Sequence, residues 1–244
     1  MQIAVVYVGA MRSFDRCFAT HRWHVLRKLG PVSFFVSTVK DADTEKLGLI
    51  RTQFPGSVLV SDVVEAQPDC VAMLRAEGVT LPAEWVHGKY YTHEPYAISV
   101  HPQAVARQLW QLSRAWSVFG DALRNYDIII RIRPDLWFHS ADFTINPAQQ
   151  GARVPWWGRF GGVNDRFAVL DPRSAEAYFD TFLFIKELMV IGCPIHPESL
   201  VMGSLELNDC KIDATLAAEF STLRTNGEMR SPEISASDMA VLRL

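Results

Sequence analysis

The chain has 244 residues, 49% of them hydrophobic and 21% charged, with a formal net charge of −3. That apolar content excludes a disordered chain and suffices for a sizeable core. The slightly acidic balance excludes a general nucleic-acid binder, which needs many cations on one face. The four cysteines, Cys17, Cys70, Cys193 and Cys210, form no CxxC pair and read as separate thiols of a reducing, cytoplasmic setting. No apolar run approaches the ~20 residues of a membrane span. The apolar start has no basic leader before it and reads as a strand, not a signal peptide.

Residues 2–8 form a run of β-branched and aliphatic side chains that ends at Gly9. Ser13 is placed to cap a helix whose apolar positions recur through residues 16–29, and Gly30-Pro31 stops it. Residues 32–36 make the next continuous apolar strand. Strand, helix, strand with fully apolar strands predicts a parallel sheet covered on both faces. The spacing then predicts a helix over 41–54 and a strand over 57–60. Residues 62–102 are irregular, with a short helix at 69–77 and a cluster of Trp85, His87, Tyr90, Tyr91 and His93. The longest helical pattern is 103–124, where Val105, Leu109, Leu112, Trp116 and Phe119 build one apolar stripe. Its polar stripe, Gln108, Gln111 and Arg114, reads as facing solvent. Residues 128–130 are a buried central strand. Strands at 154–157 and 166–170, helices at 174–190 and 197–207, and small strands at 211–213 and 221–223 complete the chain. The prediction is one α/β domain, Rossmann-like over 1–138 and mixed over 139–244.

Ligands of open α/β sheets bind outside the carboxyl ends of the strands. The residues there are Gly9 and Arg12, then Ser37, Thr38, Asp41 and Asp43, then Arg131, Arg133 and Asp135. Arg131 and Arg133 alternate with Ile132 and so share one face of an extended chain. Two guanidinium groups on a buried strand need anionic partners, either protein carboxylates or a bound phosphate. Pro134 marks the change from strand to loop. Asp135 then supplies a hard oxygen ligand beside cations, the set a Mg²⁺– or Mn²⁺–diphosphate site requires. An internal ion pair of either arginine with Asp127 or Asp135 is the alternative. Asp41-Ala-Asp43 reads first as a helix N-terminus. Gly9 permits close backbone approach. Neither a Gly-x-Gly-x-x-Gly fingerprint nor a Walker loop follows it, so NAD and ATP-hydrolysis readings lose support.

Further on, Gly161-Gly162-Val163-Asn164-Asp165 is either a loop beside a ligand or an Asx-turn. His196-Pro197-Glu198 opens a helix, where Pro and Glu suit the first turn. Glu198, Asp165 and His196 are also the groups able to take a proton from an acceptor hydroxyl, and His196 could complete a metal site. The aromatic cluster and Trp156-Trp157 read as packing, with stacking on a sugar or base the alternative.

Several segments together resemble a group of glycosyltransferases with the GT-A fold. They are Gly9-x-Met11-Arg12-x-Phe14, Phe34-Phe35-Val36-Ser37-Thr38, Tyr126-Asp-Ile-Ile-Ile-Arg131-x-Arg133-Pro134-Asp135-Leu136, and the Gly161 to Phe167 segment. The resemblance spans roughly residues 1–230. It implies a mostly parallel mixed sheet flanked by helices on both faces, and transfer of a sugar from a nucleoside diphosphate sugar to a carbohydrate or other hydroxyl-bearing acceptor. It implies nucleotide or donor contacts from Gly9, Arg12, Thr38, Asp41, Arg131, Arg133 and Asn164, catalysis by Asp165, Glu198 or His196, and Asp135 on a Mn²⁺ or Mg²⁺ ion. The group's usual Asp-x-Asp is Arg133-Pro134-Asp135 here, so the first carboxylate is missing. A non-catalytic sugar- or nucleotide-binding domain is the second reading. A nucleotidyltransferase ranks below both, because its Gly-rich, Lys-containing first loop is absent.

Overall fold

A computed structural model describes residues 1–81, 91–93, 98–148 and 150–230. Among the described residues the core is a nine-stranded mixed sheet. Its strands are β1 (Ile3–Val8), β2 (Val32–Val39), β3 (Leu59–Val64), β6 (Ile128–Ile132), β7 (Leu136–Asp142), β8 (Ala152–Pro155), β9 (Phe167–Leu170), β10 (Ile212–Leu223) and β11 (Met229–Arg230). They lie in the order β11-β10-β8-β9-β6-β1-β2-β3, with β7 paired to β10. In a separate two-stranded sheet β4 (Tyr91–His93) pairs antiparallel with β5 (Ile98–Val100). The aromatic cluster around 85–93 otherwise falls outside the described residues.

The block β6-β1-β2-β3 is parallel throughout. Its carboxyl ends therefore line up along one edge. Helices cover both faces, because β1 sends alternate side chains to opposite sides. Ala4, Val6 and Val8 enter one core with Phe35, Ile129 and the apolar stripe of α4 (Pro102–Leu123). Ile3, Val5 and Tyr7 enter the other with Phe14 and Phe18 of α1 (Phe14–His24) and Ile50 of α2 (Gly48–Gln53). α3 (Cys70–Ala76), α5 (Pro172–Phe179), α6 (Ile185–Val190) and α7 (Pro197–Leu207) add to the first face.

Several elements differ from the sequence expectation for identifiable reasons. Ser13 precedes α1 but makes no cap hydrogen bond, because its hydroxyl donates to the Leu223 carbonyl at 2.8 Å. The expected helix over 41–54 is a 3₁₀ turn at Thr44–Leu47 followed by α2. The expected helix over 174–190 breaks into α5, a 3₁₀ turn at Asp180–Phe184 and α6. There the Thr181 hydroxyl bonds the Tyr178 carbonyl at 3.0 Å, a local contact that competes with regular helix. Strand β7 was not foreseen, because Pro134 read as the exit of the chain from the sheet. The two small strands expected at 211–213 and 221–223 are the two ends of β10, a single strand of 12 residues.

Candidate functional site

Strand direction assembles the site. The parallel block delivers Val8 and Gly9, Val39 and Asp41, and Arg131 to one edge of the sheet. β10 pairs parallel with β8 over its first half and antiparallel with β7 over its second. Its end arrives at the same edge, where the Leu223 N–H donates to the Asp135 carbonyl at 2.9 Å. The Arg16 guanidinium donates to the Arg224 carbonyl at 2.9 Å and fixes that corner. Helix α4 closes the other side. The result is a cleft of about 470 Å³ lined by Gly9, Arg12, Asp41, Gln67, Arg107, Gln108, Gln111, Arg131, Arg133, Asp135 and Arg224.

Among the described residues, five guanidinium groups and two carboxylates line this cleft, in a chain that is acidic as a whole. One of the two carboxylates is already engaged. Arg133 Nε donates to Asp135 Oδ1 at 3.1 Å and Nη2 to Oδ2 at 2.8 Å, a bidentate fork across Pro134. Burial alone would raise Asp135, but the charge and hydrogen bonds of Arg133, with Arg224 nearby, hold it below the usual carboxylate range. Burial likewise opposes the charge on Arg133, and Asp135 and Asp165 outweigh it.

Arg131 is the most enclosed of the five, at 1% exposure. It stands on the same face as Val6, its partner across β1, and donates Nη1–H to the Arg166 carbonyl. Its Nε has no hydrogen-bond partner among the described residues, and the same holds for Nε of Arg224. Burial pulls both guanidiniums down, and for Arg224 the nearby Arg230, Arg133 and Arg12 add to it. Buried donors left open in this way are costly unless an acceptor from outside the chain completes them.

Gly9 permits the crossing of β1 and the Pro134 turn. Its φ is +131°, and a Cβ there would lie 3.4 Å from Pro134 Cδ. Asp41 sits at the rim with its Oδ1 accepting from the Asp43 N–H at 2.9 Å. This Asx-turn accounts for Asp41-Ala-Asp43 more fully than a helix cap, since Asp43 makes no side-chain cap bond. Thr38 is buried and takes no part in the cleft wall.

The second set of predicted residues gathers behind the cleft, not in it. Asn164 is enclosed by its own loop: its amide donates to the Trp157 carbonyl at 2.9 Å, and its Oδ1 accepts from the Arg166 N–H at 3.0 Å. Asp165, His196 and Glu198 are 2%, 2% and 4% exposed. His196 Nδ1 lies 2.8 Å from Glu198 Oε2, and Arg166 Nη2 lies 3.5 Å from Glu198 Oε1. Burial, then the charge of Asp165, pushes Glu198 toward its protonated form, against His196 and Arg166. Gln108 connects the two groups. It lines the cleft and donates to Asp165 Oδ2.

Of the stripe expected to face solvent, Arg114 is exposed, but Gln108 is half-buried and Gln111 turns inward. Gln111 is buried and donates to Ser37 Oγ at 3.0 Å while accepting from Gln67 at 2.8 Å. Arg114 forks onto Asp62 with two bonds of 3.0 Å. This polar chain ties α4 to β2 and β3 beneath the cleft. The clue in the sequence was a pair of glutamines one helical turn apart, on the helix that precedes the central strand. Arg107 and Arg224 had no local signal.

The expectation of a metal on Asp135 meets an unsuited donor set. Both its oxygens accept from Arg133, the position two before it is that arginine, and Asp41 is held in its own turn. Among the described residues no three His, Cys, Asp or Glu side chains gather closely enough to hold an ion. No helix among the described residues is long and apolar enough to cross a membrane.

Neither a family model nor a curated protein matches the chain. Among solved structures it is similar in general shape to an active-site mutant of LgtC, with a TM-score of 0.47 and 8% identity over 83% of this chain and 69% of that one. It is similar to the glycosyltransferase GlyE of Streptococcus pneumoniae at 0.46 and 10% identity, covering 88% of this chain but only 45% of GlyE. A cytidylyltransferase from Leptospira borgpetersenii aligns at 0.39 and 11% identity, over 100% of this chain and 85% of that one.

Proposed function

We propose that the chain transfers a sugar from a nucleoside diphosphate sugar to a hydroxyl-bearing acceptor. The observation that carries this reading is the arginine-lined cleft at the carboxyl edge of a parallel sheet. Its volume lies within the range of small-molecule sites, and among the described residues its cations outnumber its carboxylates. Two buried guanidinium N–H groups without partners add to the case for a multiply charged anion there. A diphosphate offers oxygens to several arginines at once, and Gly9 and Asp41, which line the same cleft, are the proposed contacts of the nucleoside.

In the proposed transfer, the acceptor oxygen bonds to the anomeric carbon as that carbon's bond to the phosphate oxygen breaks. The electron pair goes to the leaving diphosphate, where fixed cations stabilise it. The acceptor proton passes to a base. Asp165, whose carboxylate accepts from Gln108 of the cleft wall, is the first candidate and would take the proton directly once Gln108 yields its bond, with the His196–Glu198 pair behind it holding the charge.

Calorimetric titration with UDP, GDP, CDP and their sugars tests the binding half, and release of free sugar from the donor tests the chemistry. Binding together with slow donor hydrolysis supports transfer. No binding of any of these refutes the proposal. The near-complete burial of Asp165, His196 and Glu198 favours a second reading, a domain that binds the nucleotide sugar without reacting it. Tight binding with no hydrolysis or transfer would select that reading.

A further inference from the structure

We infer that the anion in this cleft is neutralised by guanidinium groups in the place where a divalent ion would otherwise sit. This rests on the functional proposal above and concerns how its diphosphate is held.

Three observations carry it. First, the carboxylate best placed for a metal is bound on both oxygens by Arg133, so an ion could reach it only by displacing a bidentate, partly buried pair. Second, an ion on Asp135 would be surrounded by like charge. Arg133 is in contact with that carboxylate, Arg131 stands two residues before Arg133, and Arg224 is carried in by β10, whose Leu223 bonds the Asp135 backbone. Repulsion between a divalent cation and these groups opposes binding, and the enclosure of Arg131 weakens the solvent screening that would reduce it. Third, open donors remain: Nε of Arg131 and Nε of Arg224 have no partner among the described residues. Phosphate oxygens satisfy such donors, whereas a metal ion cannot.

Asp135 then has a different task. It holds the Arg133 fork in a fixed position and offsets part of its charge until an anion arrives. The two roles predict opposite effects of one substitution. If Asp135 is a metal ligand, Asp135→Asn removes a charge the ion needs, and affinity falls. If it restrains Arg133, the same change frees a guanidinium, and affinity for a diphosphate holds or rises.

The test is calorimetric titration of the full chain with UDP, GDP, CDP and ADP, in EDTA and again with Mn²⁺. The expected result is dissociation constants that agree within about threefold in the two buffers for any nucleotide that binds, with Asp135→Asn equal to wild type or tighter. Because Asp135→Asn leaves Arg133 without its partner and can compromise folding, Arg224→Gln serves as the second variant. It should weaken binding about tenfold, equally with and without Mn²⁺, as expected for loss of a charge-assisted hydrogen bond. Affinity that falls tenfold or more in EDTA overturns the inference while leaving the proposed function standing. Absence of binding in both buffers overturns both.

Discussion

Gly162 sets how closely the 158–166 loop approaches helix α7, and replacing it with alanine should separate the two. A Cβ at this position would lie 2.1 Å from the Glu198 carbonyl oxygen, 2.2 Å from its carbon and 2.5 Å from the Ser199 nitrogen. All three are backbone atoms of the first turn of α7, so no side chain can swing aside. The loop must retreat by roughly 1 Å to reach a normal contact, and the Val163 N–H bond to the Glu198 carbonyl, now 3.1 Å, is lost with it. Overpacking of this kind and an unmade buried hydrogen bond together cost roughly 2–5 kcal/mol. For a chain of this length that lowers the melting temperature by roughly 5–15 °C. Thermal melting followed by circular dichroism measures it. Gly48→Ala is the control, since φ there is −56° and nothing lies within 4 Å of the added carbon. A Gly162→Ala melt within about 2 °C of wild type would refute the reasoning, because it would mean the loop and helix do not meet as described.

His21 gives a pH test. It is buried between the Tyr7 hydroxyl at 3.2 Å and the Leu136 carbonyl at 2.5 Å, and burial lowers its pKa from 6.5 to about 4 against the pull of that carbonyl and of Asp135. The unfolded chain takes up this proton below about pH 6.5 and the native chain only near 4, so stability should fall on acidification across that window, by up to ~3 kcal/mol. Asp180, raised to about 6 by burial, works in the opposite sense over part of the range, so urea unfolding of wild type and His21→Gln is best compared in an Asp180→Asn background. The pH dependence should flatten in the His21 variant, and an unchanged slope would contradict the assignment. Asp171→Ala should cost about 1–3 kcal/mol, because this carboxylate accepts from the Ser174 N–H at the start of α5 and from the Gly151 N–H, each at 2.7 Å. Urea midpoints measure this as well, and a loss below about 0.5 kcal/mol would show that neither bond matters to stability.

The floor of the site could be read from residues close together in the chain. Ile128 to Ile130 had to be buried, and two arginines directly after such a run demanded an anion. The apolar runs of β1 and β2 similarly announced a covered parallel block. The walls were not readable in the same way. Arg224 reaches the cleft only because β10 runs on from β8 to β7, a pairing no local window contains. Gln111 was assigned to solvent because helical periodicity gives the direction of a side chain but not what stands opposite it, here Ser37 at the end of β2. The 161–165 loop has two sequence readings, and the Asx geometry of Asn164 follows from its bonds to Trp157 and Arg166. The burial of Glu198 depends on the glycine that lets the loop lie against it.

The arginines of the cleft come from four distant stretches of chain, around residues 12, 107, 131–133 and 224. They are neighbours only when the sheet is complete, and in the unfolded chain the same charges are dispersed in a weakly acidic polymer. A polyanion that occupies the cleft therefore has little affinity for the unfolded state, and its binding free energy adds directly to that of folding. At a hundred times its dissociation constant such a ligand stabilises the native state by about 2.7 kcal/mol. The melting temperature should thus climb with the concentration of a diphosphate, which turns an ordinary thermal scan into a screen for the natural anion that requires no knowledge of the acceptor.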